Sequence, residues 1–301
     1  MMTRRDFLAA TAALPVFIRA AEANPVLHLG LVADPQYADI PAYATRYYRE
    51  SIGKLTTAVN HFNGLDLDFC VNVGDAIDQQ WKSFDDILKI FGKCRHKFHH
   101  LLGNHDFELP DAFKAQAPTR LGMEKRYYSI SKGEFCFAML DTNDVSLYAY
   151  PINSKEVADA FERLKFFAAK GLLHAQSWNG EVGDTQMKWL AETCKKAADA
   201  KQKVIIFAHH PVYPFPCNHN EWNSDELLQF VSRNRNVVAW INGHNHAGGF
   251  AMRDGVPFIT LHGMVETPDT NAFATAKLFS DRMVISGTGR EPSREIRFRT
   301  A

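Results

Sequence analysis

The sequence predicts one α/β domain in which short buried strands alternate with helices. Three observations carry that expectation. Short apolar runs, most of them stopped by a turn rich in glycine, aspartate or histidine, recur along the chain. Several are separated by segments whose apolar residues fall at helical spacing. No repeat, low-complexity linker or charge block interrupts residues 24–301, so a single domain spans them.

The elements follow in order. Val26–Ala33 is a short apolar run ending at Asp34, a buried-strand pattern. In Tyr43–Phe62 the residues Tyr48, Ile52, Leu55, Val59 and Phe62 repeat as one helix face. Phe69–Val73 is a second strand, Phe84–Phe91 a helix, and Phe98–Leu102 a third strand stopped by Gly103-Asn104. Tyr127–Ile130 and Phe135–Leu140 read as strands around Lys132-Gly133, and Asp141–Gly183 as a less regular stretch. Asp184 is placed to cap a helix reaching about Ala200, and Ser224 one over Asp225–Asn234. Val204–Ala208 and Val237–Asn242 are further strands. The tail alternates strands and turns over Pro257–Leu261, Ala274–Leu278 and Met283–Gly287.

Composition bounds what this domain can do. The 34 Lys and Arg are balanced by 34 Asp and Glu in 301 residues, which excludes a nucleic-acid binder held by bulk positive charge. With 46% of residues hydrophobic, a disordered acidic chain is excluded too. Five cysteines cannot all pair and show no CxxC spacing; Cys70 and Cys136 sit in strand-like runs as core residues. Thirteen histidines call for an explanation.

The first 23 residues read as an address. Arg4-Arg5 with Phe7-Leu8, a weakly apolar run and Ala21-Glu22-Ala23 resemble a bacterial twin-arginine export signal, implying delivery to the periplasm. The run is far shorter than the roughly 20 residues needed to span a bilayer, and no later one is long enough, so no membrane insertion is expected.

The chemistry lies at strand ends. Asp34-Pro35-Gln36, Gly74-Asp75-Ala76-Ile77-Asp78, Gly103-Asn104-His105-Asp106, His209-His210 and Gly243-His244-Asn245-His246 each follow an apolar run. In α/β sheets ligands gather at the carboxyl ends of strands. Carboxylate, amide and imidazole groups brought together there suit Mn, Fe or Zn rather than a thiolate site. Asp75 is placed to bridge two ions, and the glycines before Asp75, Asn104 and His244 allow sharp turns. Successive strand residues point opposite ways, so only one of His209 and His210 is expected to ligate. His28, His61, His99, His100 and His174 read as packing histidines.

The order D-x-[HQ], GDxxD, GNH[DE], H, GHxH, from Asp34 to His246, resembles the calcineurin-like metallophosphoesterases. The resemblance implies two β-sheets flanked by α-helices, a calcineurin-like metallophosphoesterase sandwich, with a dinuclear centre at the strand ends. It implies Asp34, Gln36, Asp75 and His246 on one ion, and Asp75, Asn104, His209 and His244 on the other. It further implies His105 as proton donor or leaving-group stabiliser, oriented by Asp106. Gln36 stands where most of the superfamily has histidine, which favours Mn²⁺. That feature resembles the manganese-dependent ADP-ribose/CDP-alcohol diphosphatases. So do Tyr37-Ala38-Asp39, Thr45–Arg49, Pro211–Pro214, Trp222-Asn223, Val265-Glu266-Thr267 and Ala272-Phe273. Asp78, where purple acid phosphatases carry a metal-binding tyrosine, speaks against that branch.

The expected activity is hydrolysis of a phosphoanhydride in a small nucleoside diphosphate conjugate, by a hydroxide held between two divalent ions. Arg46 is a candidate for the distal phosphate, and Tyr37, Tyr43 and Phe215 for stacking on a base. The same motifs serve phosphomonoesterases and cyclic-nucleotide phosphodiesterases. A non-catalytic binding protein would show a broken motif, and none is broken if Gln36 counts as a ligand.

Overall fold

The computed structural model describes residues 24–300. The expected export signal lies outside the described residues. In chain order the first elements are β1 (Leu27–Val32), α1 (Ser51–Asn63), β2 (Phe69–Asn72), α2 (Ser83–Phe91) and β3 (Phe98–His100). Two one-turn helices, α3 (Asp111–Lys114) and α4 (Ala117–Arg120), lead to β4 (Tyr128–Lys132), β5 (Phe135–Met139) and β6 (Val145–Ser146). Then come α5 (Lys155–Ala169), β7 (Gly180–Glu181), α6 (Asp184–Asp199), β8 (Lys203–Phe207), α7 (Ser224–Arg233) and β9 (Val237–Asn242). The chain closes with β10 (Gly249–Arg253), β11 (Val256–Thr260), β12 (Ala272–Leu278), β13 (Arg282–Gly289) and β14 (Arg294–Arg297).

Two six-stranded sheets result, ordered β14-β13-β12-β1-β2-β3 and β10-β11-β9-β8-β5-β4, with β6 and β7 forming a separate ribbon. β1, β2 and β3 run parallel, as do β5, β8, β9 and β11. Their carboxyl ends therefore face one way within each sheet. Alternate residues Leu27, Leu29 and Leu31 of β1 meet Phe137, Phe207 and Ile241 of the other sheet in the inter-sheet core. α1 and α2 cover the outside of the first sheet through Leu55, Phe62, Phe84 and Ile87. α6 and α7 cover the second through Leu190, Cys194, Leu227 and Val231. The expected sandwich of two sheets flanked by helices is the observed one. Cys70 and Cys136 are buried, and all five cysteines are free.

Several expectations are corrected. The helix expected over Tyr43–Phe62 begins only at Ser51. Before it, Tyr43 and Arg46 exchange backbone hydrogen bonds, Arg46 forms a bridge with Glu266, and Tyr48 packs on Ala38 and Val265. The irregular stretch holds a full helix, α5, whose N-cap Ser154 Oγ accepts from the Val157 amide at 3.2 Å. Asp184 and Ser224 are first helical residues, not caps; Gly183 and Asn223 precede them. β10 and β14 extend the tail beyond the expected strands.

Candidate metal centre

The five motifs converge at the carboxyl ends of strands from both sheets. Asp34 and Gln36 follow β1, Asp75 follows β2, and Asn104 follows β3. His209 follows β8, while His244 and His246 follow β9. The backbone bends hard to deliver them: Asp34, Gln36, Asp75 and His244 have φ of 49°, 43°, 52° and 66°. Non-glycine residues avoid this left-handed region, and four such positions at one site mark a conformation held by its surroundings. The glycines have different jobs. Gly74 turns through φ 105°, whereas Gly103 has no such turn and is small because the Asp75 carboxyl occupies the place of its side chain.

Each of His209, His244 and His246 is tied at one ring nitrogen, and His209 and His246 turn the other toward the buried carboxylates. His209 Nδ1 lies 2.9 Å from the Val73 carbonyl, and its Nε2 lies 3.3 Å from both Asp75 Oδ2 and Asn104 Oδ1. His246 Nδ1 lies 2.7 Å from Glu266 Oε1, and its Nε2 is 3.7 Å from Asp34 Oδ1 and 3.2 Å from Gln36 Nε2. His244 Nε2 donates to Asn179 Oδ1 at 2.9 Å, which leaves Nδ1 free of that bond. Such outer partners fix tautomer and ring orientation around a metal. Replacing Glu266 by glutamine should therefore weaken metal affinity about 10- to 100-fold, read by metal titration of the chelator-treated protein. Wild-type affinity in Glu266→Gln would mean that the contact holds nothing in place.

His210 behaves otherwise. Its Nδ1 lies 2.8 Å from Thr142 Oγ1 and its Nε2 3.3 Å from the Trp178 carbonyl, so both nitrogens are engaged away from the centre.

The electrostatics ask for a cation. Asp34 and Asp75 are fully buried, and with His209 they offer three ligand atoms within 4.8 Å of one another. Burial pushes the Asp34 carboxyl above the usual range. Burial also opposes charge on Asp75, but His209 and His105 outweigh it and hold that carboxyl low. His209, disfavoured as a cation by burial, is lifted by the same carboxylates. Beside them, the buried Gln36 Oε1 has no hydrogen-bond partner among the described residues. Gln36 Nε2 faces Asp75 Oδ2 at 2.9 Å, and exchanging the two ends of this amide sets its orphaned oxygen against the carboxylate, where a hard divalent ion fits.

Above this floor lies a cavity of about 360 Å³ that includes Gln36, Asn104, His105, Arg46, Tyr148 and Trp178. His105 Nδ1 sits 3.3 Å from the buried Asp78 carboxylate and 2.9 Å from Glu108, and its Nε2 is 3.5 Å from Arg46 Nη1. Burial opposes charge on this ring, yet Asp75, Asp78 and Glu108 raise its pKa well above an ordinary histidine's. The orienting role expected of Asp106 thus falls to Asp78 and Glu108. Asp106 instead accepts the Gly103 and Ile77 amides at 2.9 and 3.2 Å, which braces the loop.

A neighbouring hollow shares Arg46, His219, His244 and His246, and adds Tyr43, which is 76% exposed. Of the aromatic candidates, only Tyr43 lines the cleft. Tyr37 is buried, with its hydroxyl 3.4 Å from Asp86, and Phe215 packs against His174. Sequence reasoning passed over Glu108, Tyr148, Trp178, Asn179 and His219. These sit on loops between motifs, where no periodicity or spacing singles them out.

The family model for calcineurin-like phosphoesterases matches residues 27–248, and the chain belongs to that family. It is a metal-dependent phosphoesterase, a hydrolase. Among its relatives, the manganese-dependent ADP-ribose/CDP-alcohol diphosphatase of Oryza sativa subsp. japonica is 30% identical, covering 93% of this chain and 97% of that protein. Its Mus musculus counterpart is 29% identical over 93% and 96%. The crystal structure of a dimetal phosphatase from Danio rerio superposes with a TM-score of 0.82 at 28% identity, covering 92% of this chain and all of that one.

Proposed function

We propose that this protein hydrolyses the phosphoanhydride of nucleoside diphosphate conjugates, ADP-ribose and CDP-alcohols, using two manganese ions. The carrying observation is the pair of histidines, His209 and His246, each tied behind and turned toward Asp75 and Asp34, with the Gln36 amide oxygen unpartnered beside them. Asp34, Gln36, Asp75 and His246 would hold one ion; Asp75, Asn104, His209 and His244 the other. The names of the relatives support manganese and this substrate class. Bound divalent ions supply Lewis acidity that lowers the pKa of a water and polarises phosphoryl oxygen.

The chain's own groups do the rest. Asn104 and Arg46 face the cleft and can bind phosphoryl oxygens. His105, its Nδ1 beside Asp78 and Glu108, presents Nε2 to the leaving phosphate and can give it a proton. Water adds to one phosphorus as the bridging P–O bond breaks, giving a nucleoside monophosphate and a phosphorylated alcohol or sugar. The exposed Tyr43 and the half-buried Trp178 line the two hollows and are available for a base.

The test is a hydrolysis panel with added Mn²⁺ containing ADP-ribose, CDP-choline, CDP-glycerol, cyclic AMP and p-nitrophenyl phosphate. Nucleotide release from the diphosphates should dominate. Faster turnover of cyclic AMP or of the simple ester would overturn the substrate assignment. Residues 1–23 support a second proposal, export to the periplasm by the twin-arginine route. N-terminal sequencing of the periplasmic protein should begin after Ala23.

A further inference from the structure

β3 and β4 are the outermost strands of their respective sheets, and a cavity of about 530 Å³ opens between them. None of its lining residues belongs to the metal-centre cleft. Trp189 of α6 and Tyr127 make an aromatic wall, their rings 4.9 Å apart and inclined at 56°. Lys97, Lys125 and Glu124 stand exposed at its rim; neither lysine is paired with an acid among the described residues, so the two cations outnumber the one acid. His99 contributes a half-buried ring whose pKa burial lowers to about 4, so it is a neutral imidazole at physiological pH, able both to donate and to accept. Edge strands also expose backbone N–H and C=O groups that have no neighbouring strand.

We infer that this cavity is a second ligand site, taking a planar nitrogenous ring that carries an anionic group, the chemistry of a nucleoside monophosphate. The ring packs on the wall of Trp189 and Tyr127, its polar edge meets His99, and the anion meets Lys97 and Lys125. The aromatic wall and the neutral imidazole argue against a bare anion, for which a cluster of cations would be enough. The pair of unpaired lysines argues against a neutral apolar guest, which would leave them unused.

Tryptophan emission reads the two cavities apart, because Trp189 lines this one and Trp178 the metal cleft. In the manganese-loaded Trp178→Phe protein, AMP should change the emission along a saturating curve, and adenosine should bind about tenfold more weakly. Adding Lys97→Glu and Lys125→Glu, both at exposed positions, should weaken AMP by about tenfold or more. Adding Trp189→Phe instead should remove the AMP-dependent signal. No saturable signal in Trp178→Phe, or an AMP curve unmoved by the two charge reversals, would overturn the site.

Discussion

Asp75→Asn should lower turnover by about a thousandfold or more and cut metal content, with the fold intact. Asp75 is the most heavily engaged acid of the centre. Its Oδ1 accepts the His105 amide at 2.8 Å, and its Oδ2 accepts Gln36 Nε2 at 2.9 Å and lies 3.3 Å from His209 Nε2. Asparagine keeps the volume and one carbonyl oxygen but removes the charge that holds cations on this floor. Loss of metal-derived charge stabilisation is worth several kcal/mol of barrier, hence the thousandfold scale. Activity toward ADP-ribose and metal analysis by mass spectrometry, on the same preparation, check both halves. An active, fully metallated Asp75→Asn protein would sink the dinuclear reading.

Gly103→Ala should lower the rate by about a hundredfold without replacing a ligand. A methyl at Gly103 would come within 2.5 Å of the Asp75 backbone nitrogen and 2.6 Å of its carboxyl carbon. Asp75 is pinned by its left-handed backbone and its hydrogen bonds, so it cannot step aside cheaply. Overpacking of this kind costs about 1–3 kcal/mol of stability. A displacement near 1 Å at the reacting groups costs on the order of a hundredfold in rate. Gly53→Ala is the control: it lies on the exposed face of α1 with open space around it, and should leave kcat unchanged while raising the melting temperature slightly. Thermal melts and ADP-ribose kinetics of the pair decide it. Wild-type rates in Gly103→Ala would show that the Asp75 carboxyl has room to move.

Legibility in the sequence followed physical cause. Strands buried on both faces, such as β2 and β9, are near-continuous apolar runs, so their ends were plain, and the ligand clusters sit within a few residues of those ends. α5 was hidden because its stripe of Val157, Ala160, Leu164 and Phe167 is blurred by Phe161 and Phe166, large apolar rings that face solvent beside it, and only Ala160 and Phe167 are buried. The segment before α1 showed helical spacing for another reason. Tyr48 is apolar to fill a pocket made by Ala38 and Val265, and the chain there bridges to Glu266. The resemblance implied Asp106 as the partner of His105, yet its place in the one-turn 3₁₀ helix His105–Phe107 turns its carboxylate toward Gly103 and Ile77. Glu266 and Asn179 reach their histidines across 20 and 65 residues, distances at which sequence carries no geometric signal.

The placement of the ligands sets an order of assembly. Asp34, Asp75 and Asn104 hang from one sheet and His209, His244 and His246 from the other, so neither half of the chain holds a complete set. An ion can be captured only after the sheets have closed on each other. Tightly held metal per polypeptide therefore serves as a census of finished molecules, one that secondary-structure spectroscopy, blind to how the sheets meet, would overcount.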